Sequence, residues 1–297
     1  ARLPDGSRVA VLIRPCCRIG PSLSIRKFSR KRLSLDDLIK WGALTEEAKL
    51  FMDAVVQLKK NVMVSGGTGS GKTTLLNIVS GLIPSDERII VIEDASELQL
   101  QQEHVLPWET KAADKEGKGA VQIRDLVKAS LRFRPDRIVV GECRGGEALD
   151  LLQAMNTGHS GSMATVHASS PKQTLSRIET LALFAGLDIP IVAMRSQVAS
   201  AIEIVFQTAR LRDGSRKVTH ISEVLPLDDR GQYNTQDLFR FNQTGLDENG
   251  KVLGRLEKTG KIPTFVSAFK ANGIDIDKQW FLDGAMKMDD ADVAFGH

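Results

Sequence analysis

Eight consecutive residues, Gly66-Gly67-Thr68-Gly69-Ser70-Gly71-Lys72-Thr73, fill the pattern GxxxxGK[ST] at every position. They follow a short apolar run, Val62-Met63-Val64, and lead into Thr74-Leu75-Leu76-Asn77-Ile78-Val79, which has helical spacing. That strand–loop–helix setting is the one in which the pattern binds phosphate. Glycines let the backbone wrap closely, so the N–H groups of Gly67, Thr68, Gly69, Ser70 and Gly71 can point at phosphate oxygens. The helix N-terminus adds partial positive charge. Lys72 is expected to reach the β- and γ-phosphates, and the Thr73 hydroxyl to ligate Mg²⁺.

Binding a nucleotide is not hydrolysing it. Hydrolysis needs one group that orients water and another that holds the magnesium shell. Two strand-like runs end in acid: Ile89-Ile90-Val91-Ile92-Glu93-Asp94, with Glu97 just beyond, and Ile138-Val139-Val140-Gly141-Glu142. In an open α/β sheet, ligands gather at the carboxyl ends of strands. Gly141-Glu142 stands where a Walker B aspartate is expected, so the site departs from the commonest P-loop pattern. Two of the five histidines, His159 and His167, flank a third apolar strand, and a histidine at a strand end can donate a hydrogen bond to a γ-phosphate.

The composition frames this chemistry. The chain has 297 residues, enough for one large domain or two smaller ones at ~100–200 residues each. Hydrophobic residues at 42% and charged residues at 26% match a globular protein and exclude a fibrous or wholly disordered chain. No run approaches the roughly 18 apolar residues of a membrane span. Three cysteines, two of them adjacent, build no disulfide framework and no zinc site, which points to a reducing compartment. Residues 1–40 carry ten Lys or Arg against three Asp or Glu, concentrated in Arg26-Lys27-Phe28-Ser29-Arg30-Lys31-Arg32. Such a cluster is either a solvated basic linker or a patch that meets phosphate or nucleic acid. The chain begins Ala1-Arg2-Leu3-Pro4, without Met or a signal region, and reads as a piece of a longer protein.

The elements that must hold these groups follow in order. Residues 1–33 read as short strands around Asp5-Gly6 and Gly20-Pro21, too few to close a core. Residues 34–44 read as a linker with a short helix. Thr45 is an N-cap candidate for a helix with Ala48, Phe51, Met52, Val55 and Leu58 on one face. Strands and helices then alternate, which implies a mostly parallel sheet covered on both faces. Residues 110–120 read as a mobile surface loop. Residues 236–297 show Gly-rich turns and one or two short helices and suggest no role. No internal repeat is visible.

Four segments together resemble a known family: Gly66–Thr74; Ile92-Glu93-Asp94-Ala95-Ser96-Glu97-Leu98; Arg134-Pro135-Asp136-Arg137 through Gly145-Gly146-Glu147; and Thr157-Gly158-His159 through His167-Ala168. In that order they are similar to the Walker A motif, the Asp box, an atypical Walker B motif and the His box of the secretion ATPase superfamily of type II and type IV secretion. Arg2–Val9, Leu23–Phe28 and Leu149–His159 are similar to its CpaF-like branch, the motors of tight-adherence (Tad/Flp) pili. The resemblance covers roughly residues 1–260. It implies an α/β fold with a RecA-like ATPase domain over residues 45–235, a small truncated α+β N-terminal domain ending near 33, and a C-terminal extension over 236–297. It implies ATP and Mg²⁺ bound through residues 67–74, with Glu142 and Thr73 at the metal. It implies Glu97 as general base or water-orienting carboxylate, Glu142 on the magnesium shell or the same water, His167 at the γ-phosphate and His159 supporting a neighbouring subunit. Arg2 and Arg26 match arginines that the N-terminal domain presents to the phosphates, giving the basic cluster a use through charge-assisted hydrogen bonds. The implied assembly is a homo-oligomer, a hexameric ring, working with inner-membrane platform proteins at the cytoplasmic face of the inner membrane. Cys143 and Trp108 depart from the usual residues at their positions. The Cys₄ zinc module of the type II branch is absent.

Two other classes compete. A RecA-like nucleic-acid motor is permitted by the basic N-terminus, but single-strand grooves usually carry aromatics, and this chain has one Tyr and 5% aromatics. A nucleotide-gated structural subunit would not need Glu97 and Glu142. No NKxD segment is present to read guanine.

Overall fold

The computed structural model describes residues 3–27 and 33–286. Arg2 and residues 28–32 of the basic cluster lie outside the described residues. The chain divides into two compact units, Ala1–Ser34 and Leu35–His297. In the first unit β1 (Arg8–Leu12) pairs antiparallel with β2 (Ser22–Arg26), placing Arg8 opposite Arg26. Asp5 closes the turn before β1 by accepting the Ser7 N–H at 2.9 Å.

The second unit opens with α1 (Leu35–Lys40) and α2 (Glu46–Gln57). The Thr45 hydroxyl caps α2 by accepting from the Ala48 N–H, and Phe51, Met52 and Val55 on its inner face are fully buried. Strand and helix then alternate: β3 (Val62–Gly66), α3 (Lys72–Ser80), β4 (Ile89–Glu93), β5 (Val105–Glu109), α4 (Ile123–Ser130), β6 (Arg137–Val140), α5 (Glu147–Asn156), β7 (Met163–His167), α6 (Pro171–Leu183), α7 (Ile191–Ala201) and β8 (Ile204–Arg210). Three further strands follow, β9 (Arg216–Leu225), β10 (Asn234–Leu246) and β11 (Val252–Lys258), then α8 (Val266–Ala271) and α9 (Lys278–Leu282).

All strands after β2 form one nine-stranded sheet in the order β11-β10-β9-β8-β3-β7-β6-β4-β5. From β8 to β5 every pairing is parallel; from β8 to β11 every pairing is antiparallel. The architecture is the α/β class expected from the alternation, with a parallel-rich central sheet. Period-two alternation sends Met63, Ile90, Ile92, Ile138, Val140, Ala164, Val166 and Val205 to a core shared with α4, α5, α6 and α7. The intervening Val62, Val64, Ile89, Val91, Val139 and Met163 are buried as well, on the face where α3 lies against β3 and β7. Strands covered on both faces read as continuous apolar runs, which is why these were visible in the sequence.

Residues 236–297 prove to be structural as far as they are described. β10 and β11 extend the sheet. Phe239 of β10, Phe269 of α8 and Phe281 of α9 surround Phe51 of α2, with ring centroids 5.5, 6.1 and 5.8 Å away. Each buried ring contributes about 1.5–3 kcal/mol. β5 was not visible because Pro107 interrupts its run. It lies at the sheet edge, where a residue without an N–H is tolerated. The 110–120 segment is an exposed loop tied at its base by a Lys111–Val121 bridge.

One polar knot fixes the amino end of the parallel strands, opposite the Gly66–Thr73 loop. Arg137, at the start of β6, has no exposed surface. Its guanidinium donates to Glu87 Oε2 at 2.6 Å and Oε1 at 3.1 Å, to Val56 O at 2.9 Å and to Gly161 O at 3.4 Å. Burial opposes ionisation of Glu87, but Arg137 and Lys59 outweigh it and hold the carboxyl below its ordinary range. Breaking such a pair leaves a buried charge alone. Arg137→Ala is expected to cost about 3–5 kcal/mol in urea unfolding, and Arg137→Met combined with Glu87→Leu to recover most of it. A single-mutant loss below about 1 kcal/mol would show that the pair is not structural.

Candidate active site

The Gly66–Thr73 loop sits at the carboxyl end of β3, flanked by β7 and β8. Gly66 cannot be replaced: a Cβ there would come within 2.5 Å of the Thr208 backbone oxygen on β8. Gly71 takes φ 98°, a left-handed conformation, and starts α3. Gly67, Thr68 and Gly69 are exposed, with nothing within 4 Å of where a Cβ would stand on Gly67 or Gly69, so the rim of the loop is an open cradle of backbone. Behind it, the Ser70 hydroxyl donates to Gly67 O and lies 2.8 Å from the Thr208 hydroxyl.

Lys72 is buried at the base of this cradle. Its Nζ donates to Gly67 O at 2.9 Å and lies 3.4 Å from His167 Nδ1. His167 Nε2 lies 3.0 Å from Glu142 Oε1, and Arg144 Nη2 is 2.7 Å from Glu142 Oε2. Arg144 also reaches Asp94 Oδ2 at 3.2 Å and is within electrostatic range of Glu97. Lys72, His167, Glu142, Arg144 and Asp94 thus form one connected line across the ends of β3, β7, β6 and β4. An ammonium only donates, so His167 Nδ1 must accept from Lys72, which puts the imidazole proton on Nε2, facing Glu142.

The electrostatics agree with this tautomer. Burial, and then the Lys72 charge, push His167 below its ordinary value, with Glu142 opposing, so the ring is neutral at pH 7. Burial lowers Lys72, opposed by Glu142. Burial would raise Glu142, but Arg144, His167 and Lys72 overcome it and keep the carboxylate ionised. Glu93, at the end of β4, behaves in the opposite way. Burial pushes it up to about 7, held back by N–H groups of Glu97 and Leu98 and pushed further by the Glu97 and Glu109 carboxylates.

The type II/IV secretion system protein family matches residues 1–251, most of the chain. The chain belongs to that family. Among relatives of this secretion family, a putative conjugal transfer protein of Mycobacterium tuberculosis is 40% identical over 76% of this chain and 63% of its own length. The type IV secretion system protein PtlH of Bordetella pertussis is 37% identical over 71% of this chain and 69% of its own. The VirB11 ATPase of the Brucella suis type IV secretion system, solved in complex with sulphate, has 31% identity and a TM-score of 0.52, with 74% of this chain and 72% of that one covered. The Legionella pneumophila ATPase DotB shares the fold at 18% identity and a TM-score of 0.51. The chain spans about 63% of the length of the mycobacterial relative. Among the described residues no helix is long and apolar enough to cross a membrane.

Of the positions singled out in this secretion-family sequence, the fold brings together Gly67–Thr74, Lys72, His167, Glu142 and Glu97. It does not bring His159 to them within one chain. His159 precedes Met163, the first residue of β7, whereas the cradle faces the last residue, His167. Its Nδ1 is buried with no protein partner, and its carbonyl accepts from Ser162. Arg26 lies in the first unit and Arg2 outside the described residues. Three contributors were missed. Arg144 stood in plain sight two residues after Glu142 but was read only as part of a motif. Asn77 takes the Gln99 N–H at 2.7 Å from α3. Arg216 of β9 donates from Nε to Gly69 O at 2.8 Å, a tie between residues 147 apart that no local pattern announces.

No group of three or more His, Cys, Asp or Glu that could hold a metal exists among the described residues. Mg²⁺ takes few protein ligands and keeps substrate phosphates and waters. A hydroxyl at Thr73 and a carboxylate at Glu142 are the oxygen donors such an ion accepts.

Proposed function

We propose that this chain is the motor core of a secretion or pilus-assembly ATPase, hydrolysing ATP in a hexameric ring at the cytoplasmic face of the inner membrane. The observation that carries the reading is the Lys72–His167–Glu142–Arg144 line laid against a complete phosphate-binding loop. The sulphate named with the Brucella relative supports it, since sulphate matches a phosphoryl group in shape and charge. The resemblance of Arg2–Val9, Leu23–Phe28 and Leu149–His159 to the CpaF-like branch makes a Tad/Flp-type pilus the proposed cargo. The conjugal-transfer and type IV secretion relatives make protein export the neighbouring possibility, with inner-membrane platform proteins as partners in either case.

In this mechanism the N–H groups of residues 67–74 bind the phosphates. Lys72 Nζ moves from Gly67 O to the β- and γ-oxygens. Thr73 and Glu142 would hold Mg²⁺, which would supply positive charge against the phosphate oxygens. The Nε2–H of His167 is shared between Glu142 and the γ-phosphate region. A carboxylate oxygen of Glu97 accepts a proton from the attacking water. His159 supports a neighbouring subunit, so the complete site needs more than one chain.

Steady-state ATP hydrolysis across protein concentration, with light scattering on the same samples, tests this. Turnover per subunit is expected to climb as a six-fold species forms, and single-stranded DNA is expected to leave the rate unchanged. A monomer with concentration-independent turnover would point to a self-contained NTPase. Stimulation by DNA would move the chain to the nucleic-acid motors.

A further inference from the structure

The segment carrying Glu97 has no ladder to hold it. Residues 96–101 are neither helix nor strand, yet four consecutive backbone N–H groups are satisfied by side chains, that of Ser96 by Glu109 Oε2 of β5 at 3.2 Å. Glu93 Oε1 accepts from Glu97 N at 3.0 Å and from Leu98 N at 3.1 Å. Asn77 Oδ1 accepts from Gln99 N at 2.7 Å. Glu93 ends β4, and Asn77 lies on α3, the helix that begins at Lys72. The loop is therefore pinned on one side to the sheet and on the other to the phosphate-binding helix. Glu93 also bears on the other carboxylate segment: a Cβ on Gly141, the residue before Glu142, would approach Glu93 Cγ to 2.9 Å.

We propose that Glu93 and Asn77 are positioning residues, a two-point clamp that fixes Glu97 relative to the phosphate-binding helix and to Glu142. The inference rests on the reading above, in which Glu97 handles the attacking water. It explains a feature that packing alone does not. Glu93 is 5% exposed and faces Glu97 from its own loop and Glu109 from β5, and burial pushes its carboxyl up to about 7. A carboxyl kept in such a place is a common mark of a functional site. Its work is done by an accepting oxygen, so an amide at the same place can do most of it.

The test measures ATP kcat and KM, and binding of a fluorescent ATP analogue, for Glu93→Ala, Asn77→Ala, Glu93→Gln and Asn77→Asp, each alone and combined with Glu97→Gln. Each alanine variant is expected to lower kcat up to about 100-fold, the scale of a 1 Å misplacement, with KM and analogue binding unchanged. Glu93→Gln and Asn77→Asp, which keep an accepting oxygen, are expected to regain most of the rate. Added to Glu97→Gln, neither alanine change is expected to cost more, because the group being positioned is already disabled. Asn77→Ala keeps the test open should Glu93→Ala fail to fold. Wild-type kcat in the alanine variants, full losses on top of Glu97→Gln, or lost nucleotide binding would each overturn the clamp. A wild-type rate in Glu97→Gln alone would instead overturn the role of Glu97, and the clamp with it.

Discussion

Lys72→Ala is expected to abolish ATP turnover while leaving a folded chain. Lys72 Nζ is buried, bonded to Gly67 O at 2.9 Å and 3.4 Å from His167 Nδ1. Removing it deletes the ammonium at the base of the cradle, and a bound triphosphate then loses its main neutralising donor. It also unbalances the line beyond it. His167 loses the donor that fixes its tautomer, and Glu142 loses one of the cations that keep it ionised. Lys72→Arg is not expected to rescue, because a planar guanidinium does not replace a compact ammonium in this space. The check is steady-state hydrolysis beside a thermal melt, with both variants predicted at least about 1000-fold below wild type. Turnover within tenfold of wild type would remove Lys72 from the mechanism.

Glu142→Gln is the second large effect. The substitution keeps size and hydrogen-bonding reach but removes the charge that His167 Nε2, at 3.0 Å, and Arg144 Nη2, at 2.7 Å, both meet. Nucleotide is expected to bind and stay, with turnover reduced roughly 100–1000-fold, the range for losing one positioned acid–base or charge-stabilising group. Filter retention of labelled ATP with a single-turnover time course reads both. Hydrolysis at the wild-type rate would show that Glu142 is not catalytic. A stability signature accompanies it. The folded-state pKa of Glu142 is depressed, so its ionised form stabilises the fold above the ordinary carboxylate value, and that contribution is lost as pH falls through the depressed value. Glu142→Gln should therefore melt lower than wild type at pH 7, and the gap should close in acid.

Each legible part of the site was a local pattern. Gly66–Thr73 is readable because left-handed glycines, a helix start and a lysine must be contiguous to build the cradle. Strands β3, β4, β6 and β7 were visible because strands buried on both faces are apolar throughout. Glu97 and Glu142 were visible because they lie just beyond the ends of those runs. Their convergence follows from strand order. β7 lies beside β3 and β6 beside β7, so Lys72, His167 and Glu142 meet although Lys72 and His167 are 95 residues apart.

Where a contact depended on distant segments, the sequence was silent. His159 and His167 looked equivalent as histidines flanking one strand, but a strand has two ends, and only the carboxyl end faces the cradle. Phe239, Phe269 and Phe281 lie in the 236–297 segment, which suggests no role by sequence, and the fold wraps them around Phe51. Arg216 and Asn77 carry no motif, and their partners are backbone groups whose positions exist only once the chain is folded. The sequence by itself determined the chemistry at the loop and the α/β class, since both are written in short-range residue order. Which carboxylates share a cation, what holds the Glu97 segment and which histidine meets Lys72 were decided by tertiary structure. Those contacts come from sheet order and side-chain approach, which residue spacing does not encode.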